Sequence, residues 1–181
     1  MSFWRRWLGG RGQSERVTDA WRADWVRAVA EPQPDAAALA ELRSRLDQLS
    51  PETDVEMERE MLDGLEQALA LTALIAERGL PLIATGHRVV GTDTCHFTAP
   101  ASMPDEASQP SGRLLLTSTR AIFVGSGRGV TVPWHALTRP TQADRDLVLI
   151  RTDGSTLYRF RCNSYGDALC ALIIARQLVR R

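Results

Sequence analysis

Lysine is missing from this chain: all 22 basic residues are arginine. That absence excludes a Schiff-base lysine, a phosphate-loop lysine and a lysine general base. Cysteine is scarce. Cys95, Cys162 and Cys170 are too few and too irregularly spaced for a disulfide framework, so a reduced, cytoplasmic protein is expected. No apolar run reaches the roughly 18 residues that a membrane-spanning helix needs. The start does not read as a secretory signal either, because Gly9, Gly10, Arg11 and Gly12 follow Leu8 where an apolar core should continue. Net charge is zero, so no bulk attraction to nucleic acid is implied, and none is expected as a partner.

What is there is segregated. Residues 1–30 carry six arginines against three acids, residues 31–80 four against twelve, and residues 81–181 twelve against seven. Hydrophobic residues make up 44% of the chain and charged residues 24%, a globular composition. The opening twelve residues, MSFWRRWLGGRG, read as an aromatic and arginine tip followed by a glycine-rich hinge. A helix is expected from about Ser14 to Ala30, with Val17, Trp21, Trp25 and Ala28 as its apolar stripe. Pro32 and Pro34 end it. Asp35 then stands where an N-cap belongs, and Leu39, Leu42, Leu46 and Leu49 form a heptad-like seam. Ser50-Pro51-Glu52 reads as a helix restart, and the next helix runs to Arg78 with Val55, Leu62, Leu65, Leu69, Thr72 and Ala76 as its stripe. Residues 13–80 are therefore expected to form antiparallel helices.

From Leu80 the period changes. Short β-rich runs are predicted at Thr94–Ala99, Arg113–Thr117, Arg120–Val124, Val130–Trp134, Asp146–Arg151 and Thr156–Cys162, with an Asp153-Gly154 turn between the last two. A helical period returns after Ser164, which is placed to cap it. The fold class is α+β: an N-terminal helical hairpin, then an antiparallel β-domain over residues 81–181 that a C-terminal helix closes.

The stretch Gly112-Arg113-Leu114-Leu115-Leu116-Thr117-Ser118-Thr119-Arg120-Ala121-Ile122-Phe123-Val124 resembles the G-x-L-x-L-T-x-x-R-x-x-F pattern of GRAM-type and bacterial pleckstrin-homology-like domains. Val132-Pro133-Trp134 with Leu137 resembles the strand that follows it there. The resemblance covers about residues 85–180. It implies a partly open barrel or sandwich capped by the helix, and a binding module for lipid, peptide or protein rather than an enzyme. The first inter-strand loop, residues 101–111, holds Asp105 and Glu106 and no basic residue. That argues against a phosphoinositide headgroup there.

Two groups of residues are candidates for contact. Phe3, Trp4, Arg5, Arg6, Trp7 and Leu8 interleave aromatics with arginine; the segment suits a membrane interface, a protein partner, or docking on the chain's own body. Arg113, Arg128, Arg159 and Arg161 suit an anionic ligand or acidic peptide. The competing reading, which the charge segregation favours, is that the arginines of the β-domain pair with the acidic helices of residues 31–80. The glycines around Arg128 read as a hairpin turn, since no Lys-Ser/Thr follows them. Cys95, His96, His135 and Cys162 lack metal-ligand spacing, and no nucleophile–base signature surrounds them. No cofactor and no catalytic residue is expected. A protein partner, an anionic membrane surface and a second copy of the chain, associating through the leucine seam, are the partner classes implied.

Overall fold

The structure is a computed structural model that describes residues 3–31, 35–49 and 53–180, with side chains from residue 16 onward. The restart at Ser50-Pro51-Glu52 lies outside those residues, but residues 53–55 after it are not helical, so the helix starts later than expected, with Val55 at its N-cap. Helix α1 spans Phe3–Ala30, α2 Ala36–Asp47 and α3 Glu56–Arg78. The expected hinge is helix instead: α1 runs on through Gly9, Gly10 and Gly12. Glycine costs a helix about 1 kcal/mol each but does not break it as proline does. Asp35 caps α2 as expected, its carboxylate accepting from the Ala37 N–H at 2.9 Å.

The three helices share a core of Trp21, Trp25, Val29, Leu39, Leu42, Leu46, Met61, Leu62 and Leu65. Its face on α1 is rotated from the expected stripe. Thr18, Trp21, Trp25 and Val29 point inward, whereas Val17 is 41% exposed. Both indoles keep a partner for their buried N–H: Trp21 donates to the Leu42 carbonyl at 2.8 Å and Trp25 to that of Met61 at 2.9 Å. Glu58, buried on α3, takes Arg22 at 2.6 Å.

Seven strands follow: β1 Cys95–Ser102, β2 Ser111–Thr117, β3 Arg120–Gly125, β4 Arg128–Pro133, β5 Leu137–Ala143, β6 Asp146–Arg151 and β7 Thr156–Cys162. They form one open antiparallel sheet in the order β4-β3-β2-β1-β7-β6-β5. Its halves join only where Ala101 and Ser102 pair with Cys162 and Arg161. The sheet bends there, and the halves face each other: the rings of Phe123 (β3) and Phe160 (β7) stack with centroids 5.8 Å apart. Helix α4, Tyr165–Val179, fills the remaining side, with Ala171, Leu172, Ile174, Ala175 and Leu178 in that core. Ser164 caps it, accepting from the Asp167 N–H at 3.0 Å. The other side of α4 gives Tyr165 and Leu169 to the helical core. This is the α+β architecture that the sequence implies, with one strand more.

That strand is β5. Pro140 sits in its middle and its neighbours are polar, so periodicity conceals it. It occupies an edge of the sheet, where proline is tolerated. Ala143 pairs with Asp146 across a two-residue turn in which Asp144 has φ 56°, and Pro140 pairs with Leu149. Counting back from the turn by the antiparallel alternation, Pro140 falls at a non-hydrogen-bonded pair. Its missing N–H therefore points away from β6.

The stretch from Gly112 to Val124 is the β2–β3 hairpin. A Cβ on Gly112 would lie 2.1 Å from the Val124 carbonyl oxygen, so no larger residue fits that register. The Thr117 hydroxyl accepts from the Arg120 N–H at 3.2 Å and donates to the Arg120 carbonyl at 2.9 Å. Trp134 donates to the Thr117 carbonyl at 2.8 Å. Arg120 pairs with Asp93 at 3.1 Å. Thr117 and Arg120 of that stretch thus hold the turn, Gly112 permits the close register, and Leu114, Leu116 and Phe123 enter the core.

Candidate functional site

The side chains of Phe3, Trp4, Arg5, Arg6, Trp7 and Leu8 lie outside the described residues; their backbone is the start of α1. The four arginines singled out on the β-domain fall into one pair and two separate positions. Arg161 forks onto the two oxygens of buried Asp146, at 2.9 and 3.2 Å. Arg159 stands 3.6 Å from both Asp146 and Asp105. Arg128, at the β3–β4 turn, donates to Glu106 at 2.7 Å. Arg113 donates to the Thr98 hydroxyl at 3.3 Å. The acids of the 101–111 loop therefore hold arginines of the same domain.

This differs from the expected pairing of the β-domain with the acidic helices. Among the described residues one ion pair bridges the two, between Arg145 and Glu60. The helical acids otherwise pair with helical arginines: Glu58 with Arg22, Asp24 with Arg45, and Glu66 with Arg43 at 2.9 Å. Sequence segregation overstated the separation, because α1, which is basic, packs on the acidic helices.

A different arrangement holds at β5. A groove of about 440 Å³ runs between the last turn of α1, β5 and the last turns of α4. Its apolar wall is Val26, Val29, Ala30, Leu172 and Val179. Five consecutive residues, Thr138 to Gln142, form the opposite wall. Both side-chain parities take part, so the groove follows the edge of β5 rather than one face. Arg139, Arg176 and Arg180 converge on it. Arg176 and Arg180 are one helical turn apart and share a face of α4.

Among the described residues no acid lines this groove, and none of the three arginines has an ion pair or side-chain hydrogen bond. Glu31 borders a smaller recess that Arg176 also lines, but forms no salt bridge with it. Partial burial, and then the charges of Arg180 and Arg139, push the Arg176 pKa down. The C-terminal dipole of α4 favours Arg176 and Arg180 where they are. It does not account for Arg139, which arrives from the sheet.

Sequence reasoning passed over this groove. Arg139 was visible as part of a basic β-domain, but β5 was not read as a strand. Nothing along the chain brings position 139 to positions 176 and 180. The one available signal was an arginine pair four residues apart without an acid at helical spacing.

No family model and no curated protein sequence matches the chain. Solved structures do. The C-terminal domain of an unknown protein from Leishmania infantum aligns with 50% of this chain and 89% of its own, at 9% identity and a TM-score of 0.42. The DH/PH domain of human ARHGEF11, in a ternary complex with human RhoA and its inhibitor, aligns with 93% of this chain at 12% identity and a TM-score of 0.42. The DH/PH fragment of PDZRHOGEF, in complex with human RhoA, aligns with 93% at 14% identity and the same TM-score. This chain spans about half, 54%, of the length of each of those two.

Proposed function

We propose that this protein is a non-catalytic binding module, an adaptor of GRAM-like pleckstrin-homology type, that accepts an anionic group in the groove between α1, β5 and α4. The observation that carries this reading is the convergence of Arg139, Arg176 and Arg180 without an acidic partner among the described residues. Elsewhere on the β-domain, arginines that cluster do so around acids such as Asp146 and Glu106. Arg176 is half-buried while Arg139 and Arg180 are exposed, and like charges gathered around a half-buried guanidinium cost stability unless something neutralises them. A bound anion does so, and guanidinium forks give it charge-assisted hydrogen bonds. The lining supports binding over catalysis: it contains Thr138, Thr141, Gln142 and three arginines, but no His, Cys, Asp or Glu to act as base or nucleophile.

The anionic group belongs to a protein partner or to a membrane surface, the two partner classes that an adaptor of this kind would join. No helix among the described residues is long and apolar enough to cross a membrane, so a membrane partner is met at its surface. A reducing, cytoplasmic setting suits the three free thiols.

Citrate provides a direct test. At matched ionic strength it is expected to raise the Tm of the intact chain relative to chloride. The double variant Arg139→Ser, Arg180→Ser should lose most of that rise. An equal rise in both proteins would mean that citrate acts elsewhere, and the reading would fall.

A further inference from the structure

We infer that the anion taken by the Arg139–Arg176–Arg180 groove is a phosphate monoester, held by side chains alone, with its apolar substituent against Val26, Val29 and Leu172. This rests on the anion-binding reading above and narrows it to one chemistry.

Three features of the groove lead there. The first is the match of charge and donors. A carboxylate offers two oxygens and one charge, which one guanidinium fork satisfies. A phosphate monoester carries about −1.5 to −2 charges and three terminal oxygens. It can engage guanidinium groups arriving from two directions, Arg139 from the sheet and Arg176 with Arg180 from the helix.

The second feature is the edge of β5. An acidic peptide would most readily enter as an added strand, because β5 is an edge strand of the sheet. Pro140 removes the outward N–H from the middle of that edge. The Gln142 side chain bonds back to the Asp144 carbonyl at the next turn, so it too is engaged within the strand's own hairpin. The backbone ladder that strand addition needs is interrupted, whereas recognition by side chains is unaffected.

The third is size and polarity. About 440 Å³ accommodates a small molecule or a headgroup with the first part of its substituent. The wall opposite β5 is aliphatic and belongs to two helices, so the substituent has apolar surface to cover while the charged end meets arginine.

Isothermal titration of the full chain decides between the alternatives. Saturable binding of glycerol 3-phosphate identifies a free phosphorylated metabolite as the source. Binding of phosphatidylcholine vesicles only when they contain phosphatidic acid identifies a lipid headgroup. Either is expected and supports the phosphate chemistry. Arg139→Gln should weaken that binding about tenfold or more, since a charge-assisted contact is lost. Its Tm without ligand should stay unchanged or rise, because Arg139 has no acidic partner among the described residues to lose. Unaltered phosphate affinity in Arg139→Gln overturns the proposal. So does binding of citrate or poly-glutamate when neither phosphate probe binds, although the anion-binding reading then survives. If no probe binds, both readings fail.

Discussion

Cys162 lies at the last position of β7, 2% exposed and paired with Ala101 of β1. Burial, with Asp167 and Asp146 nearby, pushes its thiol pKa up to about 12 from an ordinary 9.0. The folded state therefore holds this proton more tightly than the unfolded chain does. The resulting stability is complete below about pH 9 and is lost progressively as pH rises toward 12. Between those limits the wild-type urea midpoint should fall more steeply than that of Cys162→Ala, which has no proton to release. Parallel pH profiles would show that the thiol is not responsible. At this scale the sequence was informative wherever a residue's partner is near in the chain. Asp35, Ser164 and Thr117 each bond within three residues, and each could be assigned from its neighbours. Arg161 and Asp146 are separated by 15 positions, and their fork was not legible. The same is true of Arg139 with Arg176, because only the closed fold makes them neighbours.

At the scale of elements, periodicity located all four α-helices and six of the seven strands of the described residues. It failed where a residue serves two purposes. Pro140 marks a break to any reader of pattern, yet at an edge it removes only a donor that the sheet does not use. The α1 stripe was rotated because Val17 and Ala28 are hydrophobic but peripheral, while Thr18 and Val29 face the core. The seam between α3 and α4 was also hidden. A Cβ on Gly64 would lie 2.8 Å from the Gly166 backbone nitrogen and 3.0 Å from the Tyr165 Cβ. Neither atom is the end of a flexible side chain. Gly64→Ala would stabilise an exposed helix by about 1 kcal/mol. Here it is expected to destabilise by about 1–3 kcal/mol, because the two helices must part. Urea denaturation of the variant checks the sign: a raised midpoint would mean that α3 and α4 do not meet so closely.

For the molecule as a whole, the question is whether the helical and sheet regions unfold together. Their cores are distinct, but α4 contributes to both, and Leu71 and Ile75 of α3 pack on the sheet core. Tyr165 ties the regions further. Its ring meets Trp25 edge-on at 5.3 Å, its hydroxyl donates to Asp144 at 2.5 Å, and its backbone N–H donates to Glu60 at 3.2 Å. A single cooperative transition is expected, with tryptophan fluorescence and far-ultraviolet circular dichroism coincident in urea. Two resolved transitions would show that α4 does not couple the cores.

Helix α4 also follows every other element of this fold in the chain. On a ribosome, then, the three helices and seven strands emerge before the helix that completes either core. Until it arrives, the sheet leaves Leu147, Leu149 and Phe160 without their cover, and the helices leave Leu65 and Ala68 without theirs. A nascent chain in that condition is a natural client for a chaperone that shields apolar surface. An abortive product that stops short of Tyr165 would be marked for degradation in both halves at once.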